Sequence, residues 1–348
     1  MVRRLFKRPL LIVSGLVLLL GSGMSSANVE IIGAPVATTT IRHWGNQFTA
    51  DTRIAVSYVE ALEEVATSEL FVGVYDLALV EHPLTENLLV EKGLVQFPLL
   101  GAPVAVVVNL PGVPSNALRL NAQTLAAIYM GEIVAWNDPR IADINPSLSL
   151  PAIPVVPIAQ SDGSALTLNM TRYLAGGSDA WRKKVGLGSG LIWPIGPGEK
   201  DSSTAAKKLI SQQGAIGFQS WSNATKFDLA TVRLQNARGE FVAPTPERFA
   251  NTFRTYLSKN RGDFDAPVNL DGVDAWPVLA VVYGQMKQIP EDVPDAQETV
   301  QMLTWILQAR IPASDGLIAV GYQDVSKALD QVQSSKAFGP PRKRKGAP

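Results

Sequence analysis

At 348 residues, 46% hydrophobic and 18% charged, the chain has the composition of a folded protein and the length for two compact domains. Cysteine is absent and only two histidines occur, His43 and His82. This excludes disulfides, thiolate metal sites, cysteine nucleophiles and histidine-rich metal centres.

Residues 1–27 read as an export leader. The basic start "MVRRLFKRP", the apolar core "LLIVSGLVLLLGSG" and the small residues Ser25 and Ala27 predict cleavage before Asn28. The apolar run is short for a membrane span, and no cysteine follows it to carry a lipid, so a soluble product is expected. The Arg3-Arg4 pair leaves the twin-arginine route open beside the favoured general secretory one. Without the four basic residues of this leader, 27 basic side chains face 31 acidic ones, a net of −4. Setting aside Arg342, Lys343, Arg344 and Lys345 as well, the body stands at −8. That balance argues against nucleic-acid binding, and residues 341–348 read as a solvated, flexible tail.

Strand and helix patterns alternate along the rest of the chain. "PVAVVVNL" (103–110) predicts a buried strand between Gly101 and the turn Pro111-Gly112. "AQTLAAIYMG" predicts a helix closed by Gly131, and "PAIPVVPIA" an extended segment whose prolines suit an edge or a strand entry. Helices are predicted over 164–175, in "DSSTAAKKLIS", and over 245–258 and 292–310, with strands in "GAIGF" (214–218) and "VLAVVYG". Such alternation argues for α/β layers with open sheets and two lobes joined by more than one crossing.

Within this pattern "AQSDGSALTLNMTRYL" (159–174) places a strand end, a turn and a helix start together. Free N–H groups and the positive end of the helix dipole suit an anion there, and an ordinary N-cap made by Asp162 or Ser164 is the competing reading. "GPGEKDSS" (196–203) lacks the Gly-Lys-Ser/Thr ending of a nucleotide loop and reads as a connector. Glu63, Glu64 and Glu81 read as solvated charges rather than a catalytic pair. No serine-hydrolase motif occurs, and Trp136, Trp193 and Trp276 read as packing residues. Nothing here supports enzyme chemistry.

"TLAAIYMGEIVAWNDPRIADINPSLSLP" (124–151), "SDGSALTLNMTRYL", "WPIGPGEK" (193–200), "GAIGF" and "DAWP" (274–277) resemble, in order and spacing, segments of the periplasmic phosphate-binding proteins of phosphate-specific ABC transporters. With "VEHPL" and "LVQFPLLGAPVAVVVNLPGV" upstream, the resemblance spans nearly all of the chain after the leader. It implies an α/β type II periplasmic-binding-protein fold. One lobe would be residues 28–101 with 277–340, the other 102–276, with hinge closure over a dehydrated oxyanion. It further implies a non-catalytic, monomeric, periplasmic or secreted protein without cofactor, with an ABC permease as partner.

The family's ligand loop, Arg-x-Asp-Gly-Ser-Gly-Thr, aligns with Gln160 to Leu166. Asp162 and Ser164 match it, Gln160 replaces the arginine, and Ala165 and Leu166 replace glycine and threonine, with Thr167 next. Glu81 aligns with the aspartate that accepts the phosphate proton, and Glu63-Glu64-Val65-Ala66 with a Ser-Ser-Gly-Gly helix start. Near Pro35-Val36 the first ligand loop is shortened, so that Thr38, Thr39 or Thr40 would substitute. Losing a bidentate arginine from a desolvated anion costs roughly 2–5 kcal/mol, so weakened or altered oxyanion binding is expected. Two further readings stay open: a scaffold acting through protein contacts in phosphate starvation or secretion, and a cleft re-tuned for a cationic or neutral ligand.

Overall fold

A computed structural model describes residues 29–259 and 267–334. The expected leader and the tail 341–348 lie outside the described residues. The strand Val29–Gly33 pairs in parallel with Val56–Glu60 on one side and Leu77–Val80 on the other. Parallel neighbours require crossovers, and the helices Thr38–Thr52 and Glu63–Phe71 supply them. Leu77–Val80 is buried at every residue, as a strand covered on both faces must be.

The strand Leu94–Asn109 organises the rest. Its residues 94–103 pair antiparallel with Leu279–Lys287, and residues 104–109 pair with Ala215–Ser220. The sequence predicts this strand only from 103, because Gly101 and two prolines punctuate the run. The structure carries it through both. Pro98 lies opposite Tyr283, where the register shifts between Val282 and Tyr283, and a bulge there accommodates a residue with no N–H to give. Pro103 lies opposite Leu279, on the last rung of that ladder. A single sheet path therefore runs from Val56–Glu60 across both halves to Val156–Ile158 at the far edge, where the proline-rich segment was expected.

Two hydrophobic cores form around this shared strand. Trp44, Phe48, Leu99, Leu303 and Ile306 belong to one, and Trp136, Trp181, Trp193, Phe218 and Trp276 to the other. The three tryptophans expected to pack are buried, and each indole N–H meets a carbonyl: Trp136 that of Gly214, Trp193 that of Gln160, Trp276 that of Val104. Helix Pro246–Lys259 bridges the cores. Its Phe249 packs edge-on against Trp276 in one, while Phe253 and Tyr256, four and seven residues on, face the other.

Trp276 locks the crossing. Its indole donates to the Val104 carbonyl at 2.9 Å, and its main-chain N–H donates to the Thr252 hydroxyl at 2.7 Å. Trp276→Ala is expected to cost about 3–5 kcal/mol of unfolding free energy in urea titrations. Trp276→Phe, which keeps most of the packing but leaves the Val104 carbonyl without its donor, is expected to cost about 1–3 kcal/mol.

Candidate functional site: an inter-lobe cleft

Strand ends and helix starts from both halves open on a cleft of about 1420 Å³. Gly33 sets the first wall. A Cβ there would lie 2.1 Å from the Leu79 carbonyl oxygen at a φ of +150°, so only glycine allows this approach. The Ala34 N–H then donates to the same oxygen at 2.9 Å, bringing Ala34, Pro35 and Val36 to the cleft. Of the three threonines that follow, Thr39 lines it. Thr38, expected as a ligand, is turned to Glu60, donating to its carboxylate at 2.8 Å, and does not line the cleft. Thr40 is buried and exchanges hydrogen bonds with the main chain of Ser314. Successive helix residues diverge by 100°, so one threonine in this run can reach the ligand space.

The opposite wall is the turn and helix start that the sequence singled out. Helix Ala165–Gly177 follows the N-cap Ser164, whose hydroxyl accepts the Thr167 N–H at 3.3 Å. One Asp162 oxygen accepts three bonds, from the Ser164 N–H, the Ser164 hydroxyl and the Thr167 hydroxyl, at 3.1, 2.8 and 2.8 Å. Gly163 turns through φ +75°. Asp162, Gly163, Ser164 and Leu166 line the cleft. Thr167, expected as a ligand, is buried and braces the turn instead, and Ala165 faces a small cavity behind it.

Gln160 is built into the cleft floor. It is fully buried, its Nε2 donates to the Phe218 carbonyl at 2.5 Å, and its own carbonyl accepts the Trp193 indole at 2.8 Å. Beneath it Trp193 packs against Tyr129, Trp181 and Phe218, with ring centroids 5.0–5.9 Å apart. The residue standing where the resemblance puts an arginine is thus tied to a strand. Its Oε1 has no hydrogen-bond partner.

Carboxylates meet the main-chain donors of the cleft. Glu63, the first residue of its helix, accepts the N–H groups of Glu81 and His82 at 3.4 and 3.2 Å and pairs with His82 Nδ1 at 2.9 Å. Glu81 lines the cleft between Glu63 and the Asp162 turn. Burial pushes the Glu81 carboxyl up to about 7; Asp162 and Glu63 add to the rise, while His82 and the Ala165 N–H oppose it. The hydrogen bond that the imidazole donates to Glu63 raises His82 above its ordinary value, with burial opposing.

Sequence reasoning missed much of the remaining wall. "GPGEKDSS", read as a connector, gives Lys200, Asp201 and Ser202 to the cleft. Main-chain bonds between Ser161 and Glu199 and between Glu199 and Ala159, each 2.8 Å, hold it there, and Glu199 pairs with Lys208. Ser189, Asn223 and Lys226 complete this side, and no arginine stands among the described lining residues. The cap Asp201 before the helix Ser202–Ser211 was the available signal for that loop.

Two α/β lobes around such a cleft define a solute receptor of the PBP superfamily, whose domain profile matches residues 21–269. The chain is 31% identical over 281 residues to phosphate-binding protein PstS of Xylella fastidiosa (strain 9a5c), covering 80% of this chain and 77% of that protein. It is 28% identical over 263 residues to phosphate-binding protein PstS of Haemophilus influenzae, covering 75% and 79%. The crystal structure of an ABC-type phosphate transport receptor from Vibrio cholerae shares the fold, with a TM-score of 0.51 at 14% identity over 86% of this chain and 98% of that one. The chain belongs to the PstS family of this superfamily.

The Glu63–His82 pair has a measurable signature, since His43 is the other histidine in the chain. In Glu63→Gln, NMR titration is expected to move His82 back toward its ordinary value. A raised imidazole stabilises the fold fully below about pH 6.5 and loses that contribution as pH rises through its folded value. The stability difference between wild type and Glu63→Gln should therefore be largest in acid. The pair is partly exposed, so it should stay on the order of 0.5–1 kcal/mol.

Proposed function

We propose that this protein is the substrate-binding component of an ABC uptake system for phosphate or a related oxyanion, working in the periplasm or outside the cell. Ligand would be captured between lobes divided as residues 28–101 with 277–340 and residues 102–276. The observation that carries this reading is the start of helix Ala165–Gly177 in the cleft, framed by Asp162 and Ser164. Fixed N–H dipoles there attract an anion without an arginine. Lys200 and Lys226 line the same wall and supply the positive charge that the buried Gln160 does not. The PstS relatives, named for phosphate binding, support the ligand class.

The role is binding and delivery rather than catalysis. Ser164 has its hydroxyl bonded to Asp162, and His82 is paired with Glu63, so neither is arranged as a nucleophile with its base. Of the eight candidate ligand residues, Ser164, Leu166, Gln160, Asp162 and Glu81 line the cleft, and Thr39, Lys200 and Ser202 join them in this proposal. A permease would read the closed arrangement of the lobes. A second reading, a scaffold acting through protein contacts, is favoured by the Glu63 carboxylate, which already occupies two main-chain N–H groups beside the cleft.

Isothermal titration of phosphate into the protein separates the two. Micromolar or tighter binding at pH 6 is expected. A Lys200→Ala, Lys226→Ala double variant should bind about 10- to 150-fold more weakly, the worth of one charge-assisted hydrogen bond. The absence of both heat and thermal shift at millimolar phosphate would sink the receptor reading.

A further inference from the structure

The loop after the buried strand Leu77–Val80 has its main-chain donors taken by side chains from other elements. Glu63 accepts the N–H groups of Glu81 and His82 at 3.4 and 3.2 Å, and Pro83 has none to give. Gln96 grips the far end of the loop. Its Oε1 accepts the Leu84 N–H at 2.9 Å, and its Nε2 donates to the Leu84 carbonyl at 3.3 Å. Gln285, opposite Gln96 on the neighbouring strand, donates from Nε2 to the same Gln96 oxygen at 2.8 Å. Its own Oε1 accepts the Thr67 hydroxyl at 3.3 Å. Thr67 stands one turn beyond Glu63, on the same face of helix Glu63–Phe71. The bonds therefore close a ring. It runs from Glu63 through loop 81–84 to Gln96, Gln285 and Thr67, and back along the helix.

Packing alone does not call for this ring. Gln285 is fully buried and Gln96 nearly so. Gln285 lies opposite Ala78, which belongs with Ala66, Leu70 and Leu94 to a small apolar core. Apolar side chains of equal size would fill such a space with no polar atom to satisfy. Two amides are kept there instead, and all four of their polar atoms are bonded. What they add over apolar packing is direction, since Gln96 holds one loop residue by both its N–H and its C=O.

We propose that Gln96, Gln285 and Thr67 are positioning residues for the ligand cleft. Their ring sets loop 81–84 against helix Glu63–Phe71, so that the cleft-lining Glu63, Glu81 and His82 keep one arrangement. The effect on ligand rests on the receptor reading above; the effect on the loop stands on the ring itself. A glutamine that only fills space can be exchanged for a methionine of similar size. One that aims the loop cannot.

The experiment compares wild type with Gln96→Met, Gln285→Met, their double variant and Thr67→Val. Urea titration reads stability, and NMR reads the His82 titration and the amide exchange of His82 and Leu84. Calorimetry at pH 6 reads the binding of inorganic phosphate. Gln285 and Thr67 are bonded to the ring rather than to the loop. Opening the ring at either is nevertheless expected to speed Leu84 exchange about tenfold relative to strand amides, the worth of about one hydrogen bond. His82 should move toward its ordinary value, and phosphate should bind about tenfold more weakly. The double variant removes the Gln285 amide that Gln96→Met leaves without its acceptor, so it should regain stability over that single variant. Its loop should stay loose and its phosphate affinity low.

Return of exchange, His82 titration and affinity together with stability would overturn the proposal, because packing would then suffice. So would wild-type exchange and titration in both Gln285→Met and Thr67→Val. Should the methionine variants fold poorly, Thr67→Val, which keeps the shape of its side chain, decides by the same readings. Failure of wild type to bind phosphate would overturn the receptor reading and the ring's part in binding, while exchange and titration would still decide whether the ring holds the loop.

Discussion

A main-chain N–H pointing into a cleft is a fixed partial charge that cannot be titrated away, and it needs an acceptor whether or not ligand is present. That constraint organises this site. In the first lobe the N–H groups of Glu81 and His82 meet Glu63. Asp162 satisfies the remaining turn, with one oxygen accepting three bonds from Ser164 and Thr167. A receptor that relies on arginine for its charge can leave such groups to water. Here acidic side chains fill the donor positions, and the cations that line the cleft, Lys200 and Lys226, stand on a loop and on a short helix rather than in the floor.

The floor itself is rigid for a related reason. Gln160 is fastened on both sides, by its amide to Phe218 and by its carbonyl to Trp193, and Trp193 sits in an aromatic cluster with Tyr129, Trp181 and Phe218. Packing of that density leaves no path for a long cationic side chain to swing into the cleft from this position. The loop 196–203 follows as a consequence. Its main chain is stitched to Ala159 and Ser161, so it carries Lys200 to the wall on the same foundation that holds Gln160.

The sequence made some of this legible and hid the rest. Helix 165–177 with its Asp162 and Ser164 turn was readable because N-cap chemistry is local: the residues that form it lie within five positions of one another. The edge segment around Pro157 and the packing tryptophans were readable from residue type. The long strand was cut short at Gly101, and the partner that lets it continue through Pro98, Tyr283, lies 185 residues on in the chain. Glu63 and Glu81 were read as solvated charges because what takes them out of water, His82 for one and burial in the cleft for the other, is assembled from other elements. The threonine run 38–40 showed three hydroxyls, but helix phase, fixed only by packing, turns Thr39 to the cleft, Thr38 to Glu60 and Thr40 into the core. Local chemistry was visible in the sequence; contacts closed by tertiary structure were not.

The strand Leu94–Asn109 also sets how the two lobes can move. Lobes connected by loosely tethered segments swing freely about them, whereas these share one sixteen-residue ribbon hydrogen-bonded along both halves. Opening the cleft means twisting that ribbon near residues 103 and 104, where one ladder hands over to the next and Trp276 clamps the Val104 carbonyl. Such a joint behaves as a torsion spring with a preferred angle. A rotation of one lobe against the other would have to twist this shared strand against the ladders on both of its halves, rather than bend a free linker.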